Sequence, residues 1–329
     1  MHHGGIDYDD FMKNRALGQW IEKELAERPI RANSLIITIY GDMIASHGGT
    51  VWLGSFIKLV APFGINARMV RTNVFRLSAE KWLVAEQIGR RSYYSLTASG
   101  KRRFEHAHRR IYDETRPAWQ GEWLLVVIPA VGLNTAQREA LRKELIWEGY
   151  GSIAPGVMVN PSAERDSLLE ILQTTGMHDK VVIMQGQTLG TLAGKSLKEM
   201  VSEGWNLARV AHEYHGFIER FRSVARTLNG SPVLEPEQCF MIRTLLMHEF
   251  RRVQLRDPLL PHQLLPNDWP GDTARAMCRE IYMLCQQKTE EHLMTVLETA
   301  DGPLPPAAPD FYSRFGGIAK HTAVNRRPV

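Results

Sequence analysis

The sequence predicts an α+β protein in three parts, and three observations carry that expectation. The opening third is helical and basic and ends in a short β-hairpin pattern, the middle alternates strand and helix periods, and the last third is helical almost throughout. With 329 residues, 44% of them hydrophobic, the chain can fill two or three separate cores. The expected order is an N-terminal extension over 1–30, a first domain over 31–115, a second over 116–196, a helical third over 197–300 and a flexible tail over 301–329.

The first domain begins with RANSLIITIYGDMIASHGGT, an apolar helix that Asn33 or Ser34 can cap and that Gly48 and Gly49 can close. In WLGSFIKLVAPFGI the residues Trp52, Leu53, Phe56, Ile57 and Val60 line one face of a second short helix, ended by Pro62 and Gly64. Asn66 can then cap a third helix, NARMVRTNVFRLSAEKW, with Val70, Val74 and Leu77 as its inner stripe. Off that stripe lie Arg68, Arg71, Thr72 and Arg76, guanidinium forks and a hydroxyl that suit phosphate oxygens and the guanine O6/N7 edge. LVAEQIGRRSYYSLT follows as a hairpin with Arg90 and Arg91 at its tip.

Helix, helix, basic helix and basic hairpin is the order of a winged helix-turn-helix, which docks its third helix in the major groove of double-stranded DNA. Charge supports this reading. The formal net charge of the whole chain is only +4, yet Arg31 to Arg110 holds thirteen basic residues against four acidic ones, which leaves the remainder slightly acidic. Past the hairpin, TASGKRRFEHAHRRIYDE reads as a basic helix leading out of the domain, capped by Thr97 or Ser99.

From Trp119 onward GEWLLVVIPA reads as a strand, TAQREALRKELIWEGYG as a helix, SIAPGVMVNP as a strand pair or bent strand, SAERDSLLEILQTTG as a helix and KVVIMQGQ as a strand. That βαββαβ alternation fits a ferredoxin-like sandwich better than a doubly wound sheet. Helical patterns then run over Leu197 to Asn229, Glu235 to Arg256 and Asp272 to Thr299. Helix pairs of this kind supply dimer interfaces, and a homodimer would set two basic helices on half-sites about one DNA turn apart. The end, from Asp301, is rich in Pro and Gly and reads as a tail without a core role.

Catalytic signatures fall short. Gly190 to Ser196 resembles a phosphate-binding loop, but three residues separate Gly190 from Gly194 where four are needed, with Leu189 at the required place. His212-Glu213-Tyr214-His215 sets its histidines three apart, not the four of a zinc-protease helix. No nucleophile elbow or carboxylate dyad stands out, so no catalytic residue, metal or cofactor is assigned and the chain is not read as an enzyme. Cys239, Cys278 and Cys285 are odd in number and lack CxxC spacing, which suits a reducing cytoplasm. The first ten residues lack the order of a signal peptide, His2 and His3 carry no weight, and no apolar run reaches the ~20 residues of a membrane helix.

The run from SLIITIYGDMIASHGG to SYYSLTASG resembles the N-terminal domain of the PaaX family, and the similarity extends to WQGEWLLVVIPA and DPLLPHQLLPNDWPG. The resemblance spans about nine-tenths of the chain. It implies a dimeric transcriptional repressor of phenylacetic acid degradation operons, with a winged helix domain, a ferredoxin-like central domain similar to the Cas2 fold and a helical C-terminal domain. It also implies an inducer, phenylacetyl-coenzyme A, that releases the protein from its operator. Asn66 through Trp82 would then be the recognition helix and Gly89 through Tyr94 the wing. A coenzyme A thioester needs cations for its phosphates and an aromatic lining for its phenyl group, so Trp205, Arg209, Tyr214, Phe217 and Trp269 are the candidates to bind it. The alternative of a metal-dependent nuclease or thioester-processing enzyme on the Cas2-like domain lacks a matching acidic metal constellation.

Overall fold

Apolar stretches at helical spacing open the chain and set its first core. In the computed structural model, which describes residues 8–113, 116, 118–189, 196–230 and 233–317, they form α1 (Tyr8–Glu27) and α2 (Ala32–Ile39). A single π-turn (Tyr40–Ile44) and a 3-10 turn (Ala45–His47) continue α2 to Gly48, whose φ of 82° ends it. A three-residue strand not foreseen in the sequence, β1 (Thr50–Trp52), precedes α3 (Leu53–Val60). Then follow α4 (Ala67–Ala79), the hairpin β2 (Leu83–Ile88) and β3 (Arg91–Leu96), and α5 (Ala98–Tyr112). The sheet order is β1-β3-β2, all antiparallel. Leu35, Ile36, Phe56, Val60, Val70 and Val74 are fully buried in this part.

The expected central alternation is present element by element: β4 (Glu122–Val127), α6 (Thr135–Trp147), β5 (Gly151–Ala154), β6 (Val157–Asn160), α7 (Arg165–Thr174) and β7 (Val182–Gln187). SIAPGVMVNP resolves into the β5–β6 hairpin. The antiparallel order β5-β6-β4-β7 is that of a ferredoxin-like sheet, with the first and third strands central. Val126, Leu141, Leu145, Met158, Leu168 and Leu172 fill the space between this sheet and its two helices. Asn134 starts α6 with a reciprocal capping box to Gln137.

The helical last third differs from its sequence pattern at one point. Leu197 to Asn229 is two helices, α8 (Leu197–Gly204) and α9 (Leu207–Asn229), broken where Asn206 takes φ 48°. Trp205 at the break donates its indole Nε1 to the Gly149 carbonyl at 2.8 Å and lies flat on β5. A Cβ on Gly151 would stand 2.3 Å from that ring, so the approach requires glycine there. Beyond α9 come α10 (Pro236–Gln254) and α11 (Gly271–Val296), then β8 (Glu298–Thr299) and β9 (Gly302–Pro303).

The chain divides into two compact units that are not consecutive in sequence. One comprises residues 1–113, 217–251 and 273–329, and the other 114–216 and 252–272. Most of the C-terminal helices therefore belong to the unit that holds α2 to α5 instead of forming a third body. Nor does the chain beyond Asp301 begin as a flexible tail. Pro309–Gly316 forms a 3-10 segment whose Phe311, Arg314 and Phe315 are buried, because Phe315 packs on Tyr112 and Tyr282, Phe311 meets His47 and the guanidinium finds an anion inside. The N-terminal extension is likewise structured: α1 buries Leu17 and Ile21, sets Trp20 against Phe221 and pairs Glu24 with Arg220.

Candidate nucleic-acid interface

Asn66 caps α4 by accepting the Met69 amide at 2.9 Å, which fixes where the helix starts and so which residues face outward. Val70, Val74 and Leu77 turn inward and are buried. Arg68, Arg71, Thr72 and Arg76, all expected to face outward, are exposed. Thr72 donates its hydroxyl to the Arg68 carbonyl at 3.0 Å, and Arg76 reaches Glu80 one turn on at 2.8 Å. With Arg76 67% exposed, that pair is screened by water and yields readily to a phosphate or a base edge. The face also carries two apolar side chains that the charge pattern overlooked, Met69 and Phe75.

The β2–β3 ladder runs in register from Leu83↔Leu96 to Ile88↔Arg91, which leaves Gly89 and Arg90 as a two-residue turn. Gly89 has φ 60°, the left-handed first position that such hairpin turns ask of glycine. Arg90 is therefore the tip. Arg91, expected beside it, opens β3 instead, with its guanidinium 4.1 Å over the Trp52 ring and 2.8 Å from the Glu298 carboxylate. Those contacts fix the base of the wing and leave Arg90 projecting from it.

Asp42 sits in the π-turn that continues α2, buried among cations. Its carboxylate accepts from Arg243 Nε at 2.9 Å, Tyr112 OH at 2.5 Å, Tyr282 OH at 3.2 Å and Arg314 Nη1 at 3.3 Å. Burial would raise the Asp42 pKa, but the two guanidiniums and the tyrosine hydroxyl outweigh it and hold the carboxyl below its usual range. Arg243 also meets Glu290 at 3.3 Å, and Glu290 stands 2.9 Å from His47 Nε2, whose Nδ1 lies 2.7 Å from the Pro305 carbonyl. Burial raises the Glu290 carboxyl while His47 and Arg243 lower it and prevail. The result is a polar knot tying the end of α2 to α5, α10, α11 and the C-terminal segment. Sequence reasoning missed it, although an aspartate inside the apolar run SLIITIYGDMIASH is a signal, since a buried charge demands partners.

The candidate effector residues divide. Arg209 is 65% exposed and shares Glu213 with Arg256, while Trp205 is half-buried at the α8–α9 break. Tyr214 is fully buried, its hydroxyl within hydrogen-bond distance of Gln254 at 2.9 Å and of the Asp257 carboxylate at 2.8 Å, and Trp269 meets it edge-on at 5.9 Å. Phe217 belongs to the other unit and packs on Phe221 and Phe250. Tyr214 and Phe217 are thus core aromatics whose surfaces are already spent. His212 and His215 are exposed, and among the described residues no three His, Cys, Asp or Glu side chains gather as a metal set. Cys239, Cys278 and Cys285 are buried and unbridged. Residues 190–195 lie outside the described residues, and no described helix is long and apolar enough to cross a membrane.

Comparison with known proteins follows the same three segments. Residues 31–100 match the family described as PaaX-like protein, 116–199 the PaaX protein central Cas2-like domain, and 205–295 the PaaX-like protein C-terminal domain. The transcriptional repressor PaaX of Escherichia coli K12 is 38% identical over 303 residues, covering 92% of this chain and 95% of that protein. In structure, uncharacterized protein Rv0674 from Mycobacterium tuberculosis superposes with a TM-score of 0.51 at 20% identity, over 79% of this chain and 97% of that one, a likeness of fold.

Proposed function

Since the chain belongs to the PaaX-like family, we propose that it is a DNA-binding transcriptional repressor of an aromatic (phenylacetate) catabolic operon, released by an aryl-coenzyme A thioester, phenylacetyl-coenzyme A first among them. The observation that carries the DNA half is the exposed basic face of α4, with a capped start, a buried inner stripe and Arg90 projecting beside it. In this reading α4 enters the major groove, Arg68, Arg71, Thr72 and Arg76 meet base edges and phosphates, and Arg90 reaches the backbone. Arg91 holds the wing in place through Trp52 and Glu298. The protein works as a cytoplasmic homodimer, so that two α4 helices span a two-fold operator.

Release requires that the thioester bind one dimer geometry better than the DNA-bound one, since a ligand shifts an equilibrium only by its differential affinity. Arg209 and Trp205 are the exposed and half-exposed members of the effector set and make the first contacts in this reading. Titration of the repressor–operator complex with phenylacetyl-, benzoyl- and acetyl-coenzyme A tests the proposal. Release by the phenylacetyl thioester at concentrations where the acetyl thioester has no effect supports it, and equal response to all three, or to none, overturns the inducer assignment. Arg209→Ala is expected to raise the concentration needed for release several-fold while leaving operator affinity unchanged.

A further inference from the structure

An exposed phenylalanine stands in the middle of the basic face. Val70, Val74 and Leu77 define the buried side of α4, and at 100° per residue the opposite side is lined by Arg68, Thr72, Phe75 and Ala79, flanked by Arg71 and Arg76. Phe75 is 74% exposed, against 45% for Trp147, another aromatic on a surface helix. Single exposed apolar residues are common on protein surfaces, so exposure alone says little. The placement says more. A helical side chain leans toward the N-terminus, which lays the Phe75 ring over the turn that holds Arg71 and Thr72, while Ala79 one turn on leaves space beside it.

A protein partner at this spot would have to cover a ring enclosed by three arginines. A polyanion that also presents an apolar group meets both demands at once. The major groove is such a surface, because phosphates line its walls and the C5-methyl of thymine is its exposed apolar group. We propose that Phe75 is a specificity-determining residue that reads thymine in each operator half-site through its methyl group, between arginines that meet guanine edges and phosphates. The inference rests on the assignment of α4 as the DNA-reading helix and adds to it a base identity and the atom that is read. It also explains a feature that charge counting does not, an aromatic ring exposed to water on a helix whose other outward side chains are small, polar or cationic, Met69 excepted.

The test uses the full chain and a duplex enriched from a random library by the wild-type protein. Each thymine of the enriched site is replaced in turn by deoxyuridine, which removes only the methyl group, and binding of wild type, Phe75→Ala and Phe75→Leu is measured by fluorescence anisotropy. Loss of one buried methyl group corresponds to about a fourfold loss of affinity. Wild type is expected to lose about that much at one thymine per half-site. Phe75→Ala binds the thymine duplex at least that much more weakly and no longer distinguishes deoxyuridine at that position, whereas Phe75→Leu retains part of the discrimination. Indifference of wild type to deoxyuridine at every position, with a sequence nevertheless enriched, overturns the proposal and leaves the DNA-reading assignment standing. So does a Phe75→Ala chain that keeps the discrimination but changes its mass in solution, which would assign the ring to self-association. If no sequence is enriched and Arg71→Ala binds DNA as wild type does, the reading of α4 fails and the proposal falls with it.

Discussion

Replacing Asp42 with alanine removes the carboxylate that Arg243 and Arg314 share and leaves two buried guanidiniums without it. Both arginines are 0% exposed at the side chain, so water cannot substitute for the lost anion. Breaking a buried pair by removing one partner costs about 3–5 kcal/mol. Glu290 offsets part of this for Arg243 at 3.3 Å, whereas among the described residues Asp42 is the carboxylate that pairs with Arg314, which places the expected loss within that range. A unit of this size loses about 2–4 °C of Tm per kcal/mol, so the transition of the unit containing α2 to α5 is expected to fall by about 6–20 °C. Hydrogen exchange of peptides spanning residues 35–47, read beside thermal melts of the whole chain, assigns the loss to that unit. Asp42→Asn keeps two hydrogen-bond acceptor directions without the charge and should fall between wild type and alanine. A loss under about 1 kcal/mol for Asp42→Ala would refute the reasoning, since it would mean that the guanidiniums are solvated or otherwise neutralised.

Three further outcomes follow from the same geometry. Phe311→Ala or Phe315→Ala, in the segment read from sequence as tail, should each cost about 3–5 kcal/mol in urea unfolding, because both rings are fully buried; a tail residue would cost nothing. Acid should weaken the same unit: Asp42 and Glu290 have folded pKa values below their usual 3.8 and 4.5, so the stability they add is complete above those values and drains away as pH falls through the lowered ones. Asp42→Asn should flatten that part of the pH profile measured between pH 6 and 2. Arg90→Ala should lower the salt dependence of DNA binding by about 0.9 in log–log slope without altering the preferred sequence, whereas Arg91→Ala should destabilise the wing, seen as faster exchange of the β2–β3 amides.

The elements legible in the sequence were those with a local signature. Asn66, the Val70, Val74 and Leu77 stripe and the turn at Gly89 each declare themselves within a few residues, and they fix α4 and the wing almost completely. The ferredoxin-like sandwich followed from the order of strand and helix periods alone. What escaped depends on residues distant in sequence. Arg314 lies 272 positions from Asp42, so the composition of its own segment, rich in Pro and Gly, argued for a tail while the partner that orders it lay at the other end of the chain. Arg90 and Arg91 look equivalent in sequence, and only the ladder register puts Arg90 in the turn and Arg91 in β3. Tyr214 and Phe217 drew notice as ring-lining aromatics, and only burial distinguishes that role from core packing. Phe75 is masked in sequence by the charges around it, since an apolar residue in a helix reads as core until its exposure is known.

Whether the outward face of α4 reads DNA sequence is tested most directly by a binding titration at two salt concentrations. Wild type and Arg71→Ala are each titrated with the enriched duplex and with a shuffled duplex of the same composition. The expected result is steep salt dependence for wild type on both duplexes, a large preference for the enriched one, and loss of about 1–3 kcal/mol of that preference in Arg71→Ala. Equal affinity of wild type for both duplexes, or an Arg71→Ala chain with undiminished preference, would contradict it.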